Sequence, residues 1–165
     1  MRKTIVSVAA AAAAVAAMGG ASLAAASAHT AVSGTENFQM MTTSATSTTD
    51  SVIASGVFTA PGVDHESQSN NTAKFVFSNG TVSLKHSPGT GTQSENPKTC
   101  LLTVNLHGTY TLTGGTGAYA GITGNGTYKL SILAIAARSG GKCSQSMPPV
   151  AWHQVINASG PVSLP

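Results

Sequence analysis

Beyond its first 28 residues, much of this chain alternates polar and apolar positions with a period of two, the spacing of a sheet with one dry face. The clearest run is Cys100 to Leu112. There Cys100, Leu102, Val104, Leu106, Gly108, Tyr110 and Leu112 share one face, and Thr103, Asn105, His107, Thr109 and Thr111 share the other. From Ile122 to Ala136 the even positions again face together, Tyr128, Leu130, Ile132 and Ala134 among them. Phe75 and Phe77, then Asn79-Gly80, then Val82 and Leu84 read as a β-hairpin, with the Asn-Gly pair expected to supply the positive φ angles of a type I′ turn. Further strands are expected near residues 32–43, 51–60 and 150–158, with a short one at 161–164. Pro61 to Asn71 and Ser87 to Lys98 read as turn-rich, and Ser139 to Pro149 as a loop. About seven or eight strands without helical periodicity predict an all-β domain, a closed antiparallel barrel; a two-sheet β-sandwich fits the same alternation. Gly124 and Gly126, set among bulky strand residues, are interruptions of the kind that let a sheet bend and curl shut.

The start of the chain follows a different rule. Arg2 and Lys3 precede an Ala-rich apolar run from Ile5 to about Ala17, and Ala26-Ser27-Ala28 completes a small-x-small cleavage pattern. Residues 1–28 are therefore expected to be a cleaved export signal, their apolar run being short for a spanning helix, and residues 29–165 a single secreted domain. Beyond residue 28, six basic residues are scattered singly against five acids, Glu36, Asp50, Asp64, Glu66 and Glu95. That balance predicts neither nucleic acid nor a membrane surface as partner. The only two cysteines, Cys100 and Cys143, are expected to pair in an oxidising compartment. The alternatives are a reactive thiol or a metal ligand, but no CxxC spacing or histidine pair accompanies either one, and no metal or cofactor is expected.

The most distinctive segment is Gly114-Gly115-Thr116-Gly117-Ala118-Tyr119-Ala120-Gly121, followed by Gly124-Asn125-Gly126-Thr127. A phosphate cradle would need a helix opening behind the glycines, and here a strand follows. The order strand, GGTG, aromatic, small residue, glycine, strand resembles the signature turn of the allene oxide cyclase and dirigent barrel superfamily, over Tyr110 to Lys129. With its pair of cysteines the chain is most similar to small exported bacterial members of unassigned function. The resemblance implies an eight-stranded antiparallel barrel in which Gly114, Gly115, Gly117 and Gly121 are structural. Cyclases of the superfamily enclose a fatty-acid epoxide and direct its ring closure, and dirigent proteins guide phenoxy-radical coupling. Neither set of active-site residues maps onto this chain outside the turn. Dirigent relatives tend to trimerise, so a homo-oligomer is implied without an interface being located.

If the barrel closes, one face of each strand lines its interior. The candidate ligand-binding residues on that face are Phe38, Phe75, Phe77, His86, Tyr110, Tyr128 and Trp152, with Met40, Phe58, Leu84, Leu106 and Leu130 beside them, and Glu36 is the candidate catalytic carboxylate. The plainer reading has the aromatic residues filling a core and Glu36 and His86 lying at solvated strand ends. His107 and His153 fall on polar faces, and His65-Glu66 reads as a loop pair because no histidine follows at zincin spacing. There is no GxSxG elbow and no carboxylate spacing typical of glycosidases. Asn70, Asn79, Asn125 and Asn157 open N-x-S/T triplets that are read as turns. The expected function is therefore a secreted barrel that binds a small apolar or aromatic molecule. The alternatives are a cyclase or isomerase using Glu36 to stabilise developing positive charge, and a ligandless wall or matrix protein.

Overall fold

The computed structural model describes residues 31–67 and 69–165; the expected export signal lies outside the described residues. Among them there is no helix. The strands are β1 (Val32–Thr42), β2 (Thr49–Ser55), β3 (Thr59–Ser67), β4 (Thr72–Phe77), β5 (Gly80–His86), β6 (Thr90–Asn96), β7 (Leu101–Gly117), β8 (Thr123–Ile135), β9 (Ala137–Ser139), β10 (Lys142–Ser144) and β11 (Ala151–Leu164). Eight of them, β1-β2-β3-β4-β5-β7-β8-β11, form a closed ring of antiparallel neighbours, with β11 returning to β1. Closure leaves the ring without exposed edges.

β7 serves two partners on one side. Its C-terminal part, Tyr110–Gly117, closes the ring on β5, whereas Leu101–His107 carries β6, which lies outside the ring. β8 and β11 also run past the ring at this end, so a short sheet stands beside the barrel mouth. It ends in the β9–β10 hairpin, which the Cys100–Cys143 disulfide ties to the start of β7. Arg138 at the hairpin donates to the carbonyls of Gly141 and Lys98.

The other end is plugged by aromatic side chains. The β2–β3 bend, the β4–β5 turn and the β7–β8 turn all lie there, and Phe58, Phe77 and Tyr119 stack with centroids 4.6 to 5.8 Å apart. Phe38 and Phe75, both about 1% exposed, continue this core toward the middle of the barrel. Burial of such a side chain contributes roughly 1.5–3 kcal/mol.

The Gly-rich segment ends β7 and turns into β8, with its glycines at different tasks. Gly114, Gly115 and Gly117 are still strand residues, paired with Ser83, Val82 and Gly80 of β5. A Cβ on Gly115 would lie 2.3 Å from the Tyr119 carbonyl oxygen, and Gly117 and Gly121 take left-handed φ values of 61° and 78° on either side of the turn.

Five expectations need correction. The segment 51–60 is not one strand: it bends at Gly56–Phe58, and Pro61 to Ser67, read as turn, is β3. Pro61 is tolerated because pairing of β3 with β4 starts only at Gly62, so its missing N–H interrupts no ladder on that side. The region 87–98 contains β6, whose side chains are almost all exposed, so no apolar alternation announces it. The loop 139–149 contains β10, half of a small hairpin that turns at Gly140-Gly141. The β4–β5 hairpin forms, but its turn residues are Ser78 and Asn79, and only Gly80 has positive φ, so the turn is not type I′. Gly80 is glycine because a Cβ there would lie 2.0 Å from the Thr116 carbonyl oxygen of β7.

Candidate functional site

Two tyrosines are placed by two glycines. Across the β7–β8 ladder Tyr110 stands opposite Gly126 and Tyr128 opposite Gly108. A Cβ on Gly126 would lie 2.8 Å from the Tyr110 ring, and one on Gly108 2.5 Å from the Tyr128 ring. Each ring therefore lies over its glycine, on the inner face of the barrel. Between them and β3–β5 is a cavity of about 80 Å³, partly open to solvent. Its apolar walls come from Met40, Phe75, Leu84, Leu130 and Ile156, and its polar groups are Asp64, Glu66, His86, Tyr110 and Tyr128.

The polar groups are oriented from β5. The Ser87 carbonyl accepts the Tyr128 hydroxyl at 2.9 Å and lies 3.1 Å from His86 Nδ1. A carbonyl can only accept, so Nδ1 carries the proton on this side of the ring. Nε2 is 3.7 Å from Glu66 Oε1, and both side chains keep some exposure at the mouth. Asp64 is deeper, 3% exposed, directly opposite Asp50 of β2, which accepts from Gln154 Nε2 at 3.1 Å. Burial first, then the neighbouring charges of Glu66 and Asp50, push the Asp64 carboxyl up to about 7. Burial also raises Asp50 and Glu66; Gln154 restrains the first and His86 the second. The Tyr110 phenol is pushed up to about 12, by burial and then by Glu36. Among the described residues Asp64 Oδ1, His86 Nε2 and the Tyr110 hydroxyl are buried without hydrogen-bond partners.

Of the residues singled out from sequence, Phe75, His86, Tyr110 and Tyr128 line this cavity. Phe38 packs behind Phe75 and Tyr110, with centroids 5.0 and 6.2 Å away, and Phe77 belongs to the plugged end. Trp152 lies opposite Ala134 on the sheet beside the mouth, half-buried, outside the cavity lining. Glu36 is fully buried rather than solvated, and it also lies outside that lining; its Oε2 accepts the Phe58 backbone N–H at 3.0 Å. His86 is half-buried.

Sequence reasoning missed Asp50, Asp64 and Glu66. Asp64 and Glu66 fell in a segment read as turn, although Ala60, Gly62, Asp64 and Glu66 alternate on one face. Asp50 precedes Val52 and Ala54 with the same spacing. Comparison with family models, with curated proteins and with solved structures returns no match to this chain.

Proposed function

We propose that this protein is a secreted barrel that binds a small molecule with an apolar or aromatic body in the cavity between Tyr110, Tyr128 and Phe75. The observation that carries this reading is a mostly apolar cavity into which a few polar groups converge, the usual composition of a small-molecule site. Its size narrows the ligand. Small-molecule pockets commonly span roughly 300–1,000 Å³, so a cavity of about 80 Å³ suits a compact molecule or one end of a longer one. That weighs against enclosure of a whole fatty-acid chain, and so against a cyclase acting on one. Secretion is supported by the export signal read at residues 1–28 and by the disulfide, which fits an oxidising compartment. The likeness of the Tyr110–Lys129 turn to dirigent and cyclase barrels agrees with a ligand-binding interior.

Saturation-transfer NMR with indole and p-cresol tests the reading. Both should receive magnetisation from the wild-type protein, competitively with each other. Ala158→Phe, which projects a ring into the cavity, should abolish the transfer; Ala73→Leu is a milder filling variant should the first not fold. No transfer to wild type, or equal transfer to a folded filled variant, would overturn it.

A further inference from the structure

Charge is segregated in this barrel. Beyond the expected signal all six Lys and Arg side chains, Lys74, Lys85, Lys98, Lys129, Arg138 and Lys142, are exposed. Of the five acids only Glu95 is remote from the interior: Glu36, Asp50 and Asp64 are buried, and Glu66 sits at the cavity mouth. Among the described residues the one ion pair is His86 with Glu66, so no lysine or arginine compensates the interior carboxyls. Buried charge without a partner is costly, and such groups either take up a proton or meet a cation.

The unpartnered atoms point to the second option. Asp64 Oδ1 is an acceptor once Asp64 is ionised, and the Tyr110 hydroxyl, on a residue 3% exposed, can accept as well. Both residues line the cavity, so a group with several N–H donors would satisfy what the protein does not. Phe75, Tyr110 and Tyr128 add aromatic rings, whose faces attract cations. Every titratable side chain of this region, Asp50 from β2, Asp64 and Glu66 from β3, His86 from β5, Tyr110 from β7 and Tyr128 from β8, is an acid or a weak base.

We propose that the cavity is a site for a primary organic ammonium on a small apolar or aromatic body, the ammonium held by Asp64 with Glu66 and Asp50 around it and the body lying among Phe75, Tyr110 and Tyr128. This deepens the small-molecule reading above and rests on it. The matched probes are benzylamine and benzyl alcohol, which share a ring and differ in charge, titrated by calorimetry or saturation transfer at about pH 8, where the amine is protonated. Benzylamine should bind about tenfold more tightly or better, the scale of a hydrogen bond to a charged group. Asp64→Asn, nearly the same shape, should erase the preference, weakening the amine far more than the alcohol. Glu66→Gln, at the accessible mouth, should reduce it in part and guards against a folding defect in the first variant. If the alcohol binds as well as the amine, the cation site fails while the small-molecule reading stands. If neither probe binds, both fail. A preference that survives Asp64→Asn overturns the assignment of the ammonium to this carboxylate.

Discussion

Asp50 and Asp64 stand directly opposite each other across the β2–β3 ladder, both buried on the inner face of the barrel. Like charges at a facing pair destabilise a sheet, and burial adds a second cost to ionising either one. The folded barrel therefore holds protons that the unfolded chain releases.

The sign of the resulting pH dependence follows directly. Asp64 titrates at about 7 in the fold against 3.8 when unfolded, so its contribution is complete below 3.8 and is lost as pH rises through about 7. Glu36, Asp50 and Glu66 are raised too and act in the same direction. Thermal unfolding followed by circular dichroism should give a Tm higher at about pH 5 than at about pH 8, by on the order of 10 °C. Asp64→Asn should raise the Tm at the higher pH and flatten the profile. A Tm that climbs across this window would contradict the burial of these carboxyls.

The glycines of the turn segment separate by what surrounds them. At Gly115 a Cβ would lie 2.3 Å from the Tyr119 carbonyl and 2.8 Å from that of Thr81, both backbone atoms that cannot step aside. Gly140 has φ +57°, but nothing lies within 4 Å of its would-be Cβ. Gly115→Ala should lower stability by more than about 2 kcal/mol in urea titrations, whereas Gly140→Ala should cost only about 1 kcal/mol for its left-handed backbone. Equal costs would mean that β7 and its turn do not approach as closely as the structure has them.

How much of this was legible in the sequence depended on which side chains carried an alternating signal. β7, β8 and the Phe75–Leu84 hairpin alternate strongly, and the aromatic cavity wall of Phe75, Tyr110 and Tyr128 could be read from them. β6 is exposed along nearly its whole length, so no burial pattern marks it. β3 carries Pro61-Gly62 near its start and Asp64 and Glu66 where an apolar residue is expected, which is why the acidic side of the cavity reads as a turn in the sequence. The burial of Glu36 was invisible for a related reason: the four residues before it in β1 are exposed, so the alternation starts only at the carboxylate itself.

The disulfide lies outside the ring, between the β6–β7 turn and the β9–β10 hairpin. Closing a 43-residue separation should contribute on the order of 3 to 4 kcal/mol, chiefly by restricting the unfolded chain. Cys100→Ala/Cys143→Ala should therefore lose about that much in denaturant titrations while keeping the wild-type far-ultraviolet spectrum and its binding of indole. Loss of the barrel spectrum in buffer would show that the hairpin clamp is needed for ring closure itself.

Glu36 decides between a catalytic and a structural carboxylate. Its side chain reaches from β1 to the β2–β3 bend, where Oε2 accepts the Phe58 N–H, and Phe58 in turn packs on Tyr119 at 4.6 Å. Burial raises its pKa, and backbone hydrogen bonds, led by that from Phe58, hold the rise back. Glu36→Gln keeps an acceptor for Phe58, so it should fold and bind indole with unchanged affinity. Glu36→Ala strands a buried N–H and opens a void beneath the aromatic plug, and should cost about 2 kcal/mol or more in urea. If the Gln variant instead loses tenfold or more in indole affinity while its urea midpoint holds, Glu36 acts on the ligand, and the cavity extends further toward the plugged end than its present walls indicate.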